Sequence, residues 1–170
     1  MTSPNPTQVL FVCLGNICRS PTAHGVFESI VKERGLQESI HIDSCGTGDW
    51  HIGYAPDPRA VTEAAKRGYD LGELRARQVE PRDFGEFDYI LAMDEKNLSD
   101  LKAMCPATFS GFLGLFLPFD TAATVREVPD PYYGGDEGFT GVLDMIEAAS
   151  EGLLQEICGA NTSGRIPDAI

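Results

Sequence analysis

Residues 8–13, Gln-Val-Leu-Phe-Val-Cys, form a near-unbroken apolar run led by β-favouring residues, and a helix signal follows almost at once. A run with no polar alternation reads as a strand buried on both faces, the situation of a central strand in a parallel sheet. Ser20 suits the N-cap, and Pro21 suits a first helical position, where its missing N–H costs nothing. Ala23, Val26, Phe27, Ile30 and Val31 then recur at helical spacing, and Gly35 ends the run. A strand near residues 40–43 completes a β-α-β unit.

The remaining chain continues the alternation. Residues 60–67 read as a helix ending at Gly68, 89–93 as a second buried strand, 98–104 as a short helix closed by Pro106, 112–116 as a fourth strand, and 142–157 as a last helix. Strands alternating with helices predict an α/β fold, a three-layer sandwich with a mainly parallel four-stranded sheet. No repeat or linker divides the 170 residues, so one domain is expected over 8–158. An N-terminal extension, 1–7, precedes it. The polar, Gly- and Pro-containing segment 159–170 is expected to be a loose tail.

The loop between the first strand and first helix, Cys13-Leu-Gly-Asn-Ile-Cys-Arg19-Ser20, carries the chemistry. Ligands of open α/β sheets bind beyond the carboxyl ends of strands, where this loop must lie. Its amides, feeding a helix N-terminus, form an anion site. Gly15 permits a positive φ and Asn16 tolerates one, so the loop can curl. Arg19 adds a planar fork of donors matched to two phosphate oxygens. Cys13 then stands at the floor of a positively polarised cup, whose field favours thiolate over thiol. A thiolate facing a phosphoryl group is a nucleophile aimed at phosphorus, which predicts a phosphocysteine intermediate. Spacing alone, Cys-x5-Arg, is equally compatible with a buried structural cysteine beside a surface arginine. The strand-to-helix setting favours the functional reading.

Charge and cysteine usage narrow the partners. Acidic residues number 26 against 13 basic, a net charge of −13, which argues against a nucleic-acid grip. The longest apolar stretch, 111–119, is too short to span a bilayer, and the N-terminus has neither the basic start nor the apolar core of a signal peptide. Five irregularly spaced cysteines (Cys13, Cys18, Cys45, Cys105, Cys158) suit a reducing, cytoplasmic setting. Neither they nor the three histidines have zinc-site spacing, so no metal or cofactor is expected.

The stretch Cys13-Leu-Gly-Asn-Ile-Cys-Arg-Ser-Pro-Thr-Ala resembles the signature loop of the low-molecular-weight protein-tyrosine phosphatases. The likeness continues in Asp43-Ser-Cys-Gly-Thr, Asp49-Trp50, Ala55-Pro-Asp-Pro-Arg59, Arg75-Ala-Arg-Gln78, Phe87-Asp-Tyr-Ile-Leu-Ala-Met-Asp94 and Val128-Pro-Asp-Pro-Tyr-Tyr-Gly134, in order over nearly the whole chain. It implies a phosphatase acting on phosphotyrosine proteins and small aryl phosphates, a tyrosine kinase being one candidate partner, from a monomer or weak dimer.

Cleaving a phosphoester also needs an acid for the leaving oxygen. Asp130, bracketed by Pro129 and Pro131, has a restricted backbone that aims its side chain, although Asp-Pro pairs also make plain turns. The resemblance makes Asp130 the general acid and base. Ser20 is either a cap or a donor to the Cys13 sulfur, and the two are compatible. By resemblance, Leu14, Gly15, Asn16, Ile17 and Cys18 line the phosphate cup, Cys18 being either a protective disulfide partner for Cys13 or a buried filler. Trp50, Tyr132 and Tyr133 wall the mouth by the same likeness, though each could be ordinary packing. Asn16 and Ser44 look like loop supports bonding backbone or each other. Asp57 and Asp94 either brace the loops or cap helices.

Two residues depart from the family pattern: Cys45 could bring a third thiol near the site, and Leu74 replaces a histidine that supports the loop Asn in some members. Three rival functions remain. Protein-arginine phosphatases carry Thr where this chain has Ile17, arsenate reductases need a redox pair that the widely separated Cys105 and Cys158 do not offer, and a silent phosphate-binding module would lack Cys13, Arg19 or Asp130.

Overall fold

The structure, a computed structural model, describes residues 5–132 and 134–163. Strands β1 (Thr7–Cys13), β2 (Ile40–Gly46), β3 (Tyr89–Ala92) and β4 (Phe112–Leu115) form one sheet in the order β2-β1-β3-β4, with every neighbouring pair parallel. The helices are α1 (Arg19–Glu33), α2 (Pro58–Lys66), α3 (Asp83–Glu86), α4 (Glu95–Met104) and α5 (Asp136–Ser163). The four parallel strands and their flanking helices are the predicted architecture.

β1 has a partner on each side, which is why its sequence shows no solvent-facing alternation. Its pleat divides two cores. Val9, Phe11 and Cys13 pack toward α1 and α5, whereas Leu10 and Val12 pack toward α3 and α4 with Phe84, Phe87, Leu98 and Leu101. Phe11 anchors the first core with edge-on contacts to Phe27 at 5.8 Å and Phe116 at 4.9 Å. A third, smaller core joins Ile17 and Cys18 to Ala60, Ala64, Leu71, Ala76 and Phe139, fixing α2 and the segment after it against the loop that follows β1.

Several boundaries differ from the sequence expectation. β1 begins at Thr7, inside the expected extension, and β2 runs on to Gly46 because its far half pairs with β1 up to Cys13. α1 begins at Arg19, with Cys18 at the N-cap, so Ser20 is not the cap. α4 starts earlier than expected, on a capping box between Asp94 and Asn97. α5 begins six residues before 142, and it continues through Ser163, so 159–163 is helix rather than the start of a loose tail. Gly138, Gly141 and Gly159 masked its length. Its buried stripe of Phe139, Val142, Leu143, Ile146, Ala149, Leu153, Leu154 and Ile157 outweighs their weak propensity. Residues 1–4 and 164–170 lie outside the described residues. No helix among the described residues is long and apolar enough to cross a membrane.

Candidate active site

The strand order reverses direction between β1 and β3, and the crevice beyond their carboxyl ends begins at Cys13. Residues 14–18 curl there before α1. Asn16 takes a φ of 56°, the left-handed conformation expected of it. Its buried side chain pins the curl from both ends: Nδ2 donates to Ser20 Oγ at 2.7 Å, and Oδ1 accepts the Arg77 backbone N–H at 3.0 Å.

Four of the carbonyls from Cys13 to Cys18 bond partners outside the loop. Those of Cys13 and Leu14 accept the N–H groups of Thr47 and Gly48, each at 2.9 Å. Ile17 O accepts Asp57 N–H at 2.8 Å, and Cys18 O accepts Thr22 N–H at 3.2 Å and Thr22 Oγ1 at 2.7 Å. A trans peptide plane carries its N–H opposite its C=O, so the following amides turn inward. Asn16 N–H donates to Cys13 Sγ at 3.3 Å, and Ser20 Oγ lies 3.0 Å from the same sulfur and 3.3 Å from Cys45 O, the two acceptors within reach of its single proton. The Cys13 sulfur therefore has hydrogen-bonding partners on two sides.

Arg19 is almost fully buried. One terminal nitrogen donates to Asp94 Oδ2 at 2.6 Å and to Val128 O at 3.0 Å; the other stands 3.6 Å from Asp130 Oδ2. Burial alone would lower its pKa, but the negative charge at Cys13 and the carboxylates of Asp94 and Asp130 outweigh that and hold it above its ordinary value. Asp130 follows Val128, whose N–H bonds Met93 O at the end of β3, and its Oδ1 accepts Tyr132 N–H at 3.0 Å. Cys13, Arg19 and Asp130 are thus brought into one place.

They line a cleft of about 450 Å3 together with Leu14, Gly15, Ile17, Cys18, Trp50, His51 and Tyr132. Trp50 is 66% exposed, so it walls the cleft mouth and is not core packing. Asn16 and Ser20 support the cup from beneath. Tyr133 lies outside the described residues. Burial, then the nearby charges of Asp57, Cys13 and Asp130, push the Cys18 thiol far above its ordinary pKa.

Four details revise the sequence reading. His51 belongs to the wall, its ring close against Gly15 and tilted toward Tyr54 and Tyr132 at 5.4 and 6.4 Å. The signal for it was its place beside Trp50 in the loop after β2. Ser44 does not support Asn16; it bonds His24 Nδ1 at 3.1 Å. The Cys45 thiol is buried in the α3/α4 core, on the other side of the sheet from Cys13, and only its carbonyl reaches the site. Leu74 packs beside Leu71, and the backbone of Arg77 supplies the donor to Asn16. Asp57 and Asp94 turn out to brace and cap at once. Asp57 caps α2 through Arg59 N–H and pairs with the Arg59 side chain, while Asp94 caps α4 and holds Arg19.

Among the described residues, no cluster of His, Cys, Asp or Glu could hold a metal ion.

Residues 8–162 match the family model described as low molecular weight phosphotyrosine protein phosphatase. The low molecular weight phosphotyrosine protein phosphatase of Schizosaccharomyces pombe is 43% identical over 151 residues, covering 88% of this chain and 96% of the yeast protein. A protein tyrosine phosphatase structure from Entamoeba histolytica superposes with a TM-score of 0.86 at 39% identity, covering 91% of this chain and 99% of its own. A Drosophila arginine phosphatase superposes with a TM-score of 0.81 at 32% identity, covering 86% and 95%.

Proposed function

The chain belongs to the low molecular weight phosphotyrosine protein phosphatase family, and from that premise we propose that it hydrolyses phosphotyrosine in proteins through a phosphocysteine formed on Cys13. The observation that carries this reading is the Cys13 sulfur under the Asn16 amide and the Ser20 hydroxyl, with Arg19 and Asp130 closing the same cup.

The phosphoryl group enters with its nonbridging oxygens on the loop amides and the Arg19 guanidinium. The Cys13 thiolate attacks phosphorus, the S–P bond forms, and the bond to the tyrosyl oxygen breaks. Asp130 gives its proton to the departing phenoxide. Water then attacks the phosphocysteine, with Asp130 taking the proton it loses; the S–P bond breaks and inorganic phosphate leaves. Ser20, 3.0 Å from the sulfur, stabilises the thiolate as it departs. Trp50 and Tyr132 offer aromatic faces to the phenyl ring, and Ile17 presents an aliphatic side chain to the cleft that gives a guanidinium no polar partner. That supports phosphotyrosine over phosphoarginine. The enzyme acts in the cytoplasm on this reading, and a tyrosine kinase is a candidate substrate.

The test is a comparison of steady-state rates on phosphotyrosine, phosphoserine and phosphoarginine peptides, with Cys13→Ser beside the unmodified enzyme. Phosphotyrosine is expected to be turned over fastest, and Cys13→Ser to abolish turnover while still binding phosphate. A preference for phosphoarginine would overturn the substrate assignment, and substantial turnover by Cys13→Ser would overturn the nucleophile.

A further inference from the structure

We propose that Arg59 is the positioning residue that holds the acid loop over the phosphate cup. It acts through a strut that runs from the cup across α2 to residues 130–134. The strut begins at the cup, where Asp57 N–H donates to Ile17 O at 2.8 Å. The carboxylate of the same Asp57 then fixes the guanidinium of Arg59, with Nε on Oδ1 at 3.1 Å and a terminal nitrogen on Oδ2 at 3.0 Å.

From that fixed orientation, Arg59 donates to two carbonyls of the acid loop, Tyr132 O at 3.0 Å and Gly134 O at 3.3 Å. Its plane also lies 5.5 Å from the centroid of the Tyr132 ring and 4.6 Å from that of Phe139, at the start of α5. Tyr132 N–H in turn bonds Asp130 Oδ1, so the guanidinium is two links from the carboxyl group it steadies. Arg59 does not line the cleft. It acts through the loop rather than on substrate.

The chemistry requires such a clamp. Among the described residues of 116–135 the one helical element is the 3-10 turn Leu117–Phe119, which leaves Asp130 outside any regular element. On the other side, Asp130 Oδ2 is 3.6 Å from Arg19, a contact that a bound phosphoryl group contests. A guanidinium supplies a planar array of donors that can grip a carboxylate and two carbonyls together, which an ammonium cannot.

The proposal rests on Asp130 being the general acid, and leaving-group dependence tests both. A correctly placed acid neutralises the departing oxygen, so kcat/KM varies little between a phenol that leaves easily and one that does not. Arg59→Ala is expected to lower kcat/KM on phosphotyrosine roughly ten- to a hundredfold, within the usual span of general acid catalysis. On dinitrophenyl phosphate, whose leaving group needs no proton, the loss should stay within about twofold. Arg59→Lys should fall between the two enzymes. Vanadate inhibition, which reports the cup, should be unchanged in both variants, and Asp130→Asn should show the same leaving-group selectivity in stronger form.

Equal losses on both substrates, with vanadate binding weakened, would make Arg59 a general structural residue and overturn the proposal. So would a variant as active as the unmodified enzyme. If Asp130→Asn itself shows no selectivity, the acid assignment fails and the clamp falls with it. If only the Arg59 variants lack selectivity, the acid stands and the clamp alone is wrong.

Discussion

Replacing Gly46 with alanine should damage the phosphate cup without touching a catalytic side chain. Gly46 ends β2 opposite Cys13, with its N–H on Arg77 O at 2.9 Å and its carbonyl accepting Val79 N–H at 2.8 Å. A Cβ built there stands 2.6 Å from Leu14 O and 3.1 Å from both Asn16 N and Gly15 C, all backbone atoms. Ordinary contact begins at 3.4 Å, so Leu14 O must retreat by about 0.8 Å. That shift breaks its bond from Gly48 N–H and tilts the peptide planes that aim amides at the phosphoryl group.

Overpacking of this kind costs about 1–3 kcal/mol. Each kcal/mol lowers Tm by roughly 2–4 °C in a domain of this size. A misplacement approaching 1 Å at reacting groups costs about a hundredfold in rate. The assay is kcat/KM on a phosphotyrosine peptide, vanadate inhibition and a thermal melt, with Gly141→Ala as the control. Gly141 lies in α5 with open space around its Cβ position, so alanine there should stabilise by about 0.5–1 kcal/mol. If Gly46→Ala keeps full kcat/KM and vanadate affinity, the inward-facing amides are not what binds phosphate.

Asp94→Asn separates the two duties of that residue. Asparagine still caps α4, so Tm should hold within about 2 °C, while the lost charge on Arg19 should cut kcat/KM by roughly tenfold; unchanged kcat/KM would deny that Asp94 sets the arginine. The hydrogen bond from the Arg59 side chain holds the Asp57 carboxyl below its ordinary range. A depressed folded pKa contributes stability that is present above the unfolded pKa, near 3.9, and is lost as pH falls through the folded one. Asp57→Asn should therefore melt below the unmodified protein at neutral pH, and the gap should close in acid below about pH 4. A gap that does not depend on pH would assign the difference to something other than this pair.

Much of this molecule is legible along the chain because its determinants are local. The apolar run at 8–13, the Gly-Asn turn and the helical stripe after Pro21 are each written in consecutive residues, and together they locate the cup and the cysteine proposed as its nucleophile. What stayed hidden depends on residues far apart. Ser20 has the composition of a cap, yet its hydroxyl is drawn to Cys13, Asn16 and the carbonyl of Cys45 across the sheet. The pairing of Arg59 with Tyr132 O spans 73 residues, and no periodicity reports it. His51 gave no signal beyond its neighbour Trp50. Cys45 was ambiguous because the face a strand residue takes depends on register, and its pairing with Val12 sends the thiol away from the site.

The carboxylates explain how so acidic a chain, at a net charge of −13, builds a cup for a dianion. Asp94 and Asp57 each satisfy a helix N-terminus and a guanidinium together, so the positive ends of α2 and α4 are already matched and neither acid is free to follow a substrate. Asp130 is different: its contact with Arg19 is the longer one, 3.6 Å against 2.6 Å for Asp94, and its side chain is one-third exposed. On the proposed mechanism, a phosphoryl dianion therefore takes the guanidinium from Asp130 and leaves Asp94 in place. The displaced carboxyl group is then free to turn toward the leaving oxygen, where the proposed mechanism needs its acid.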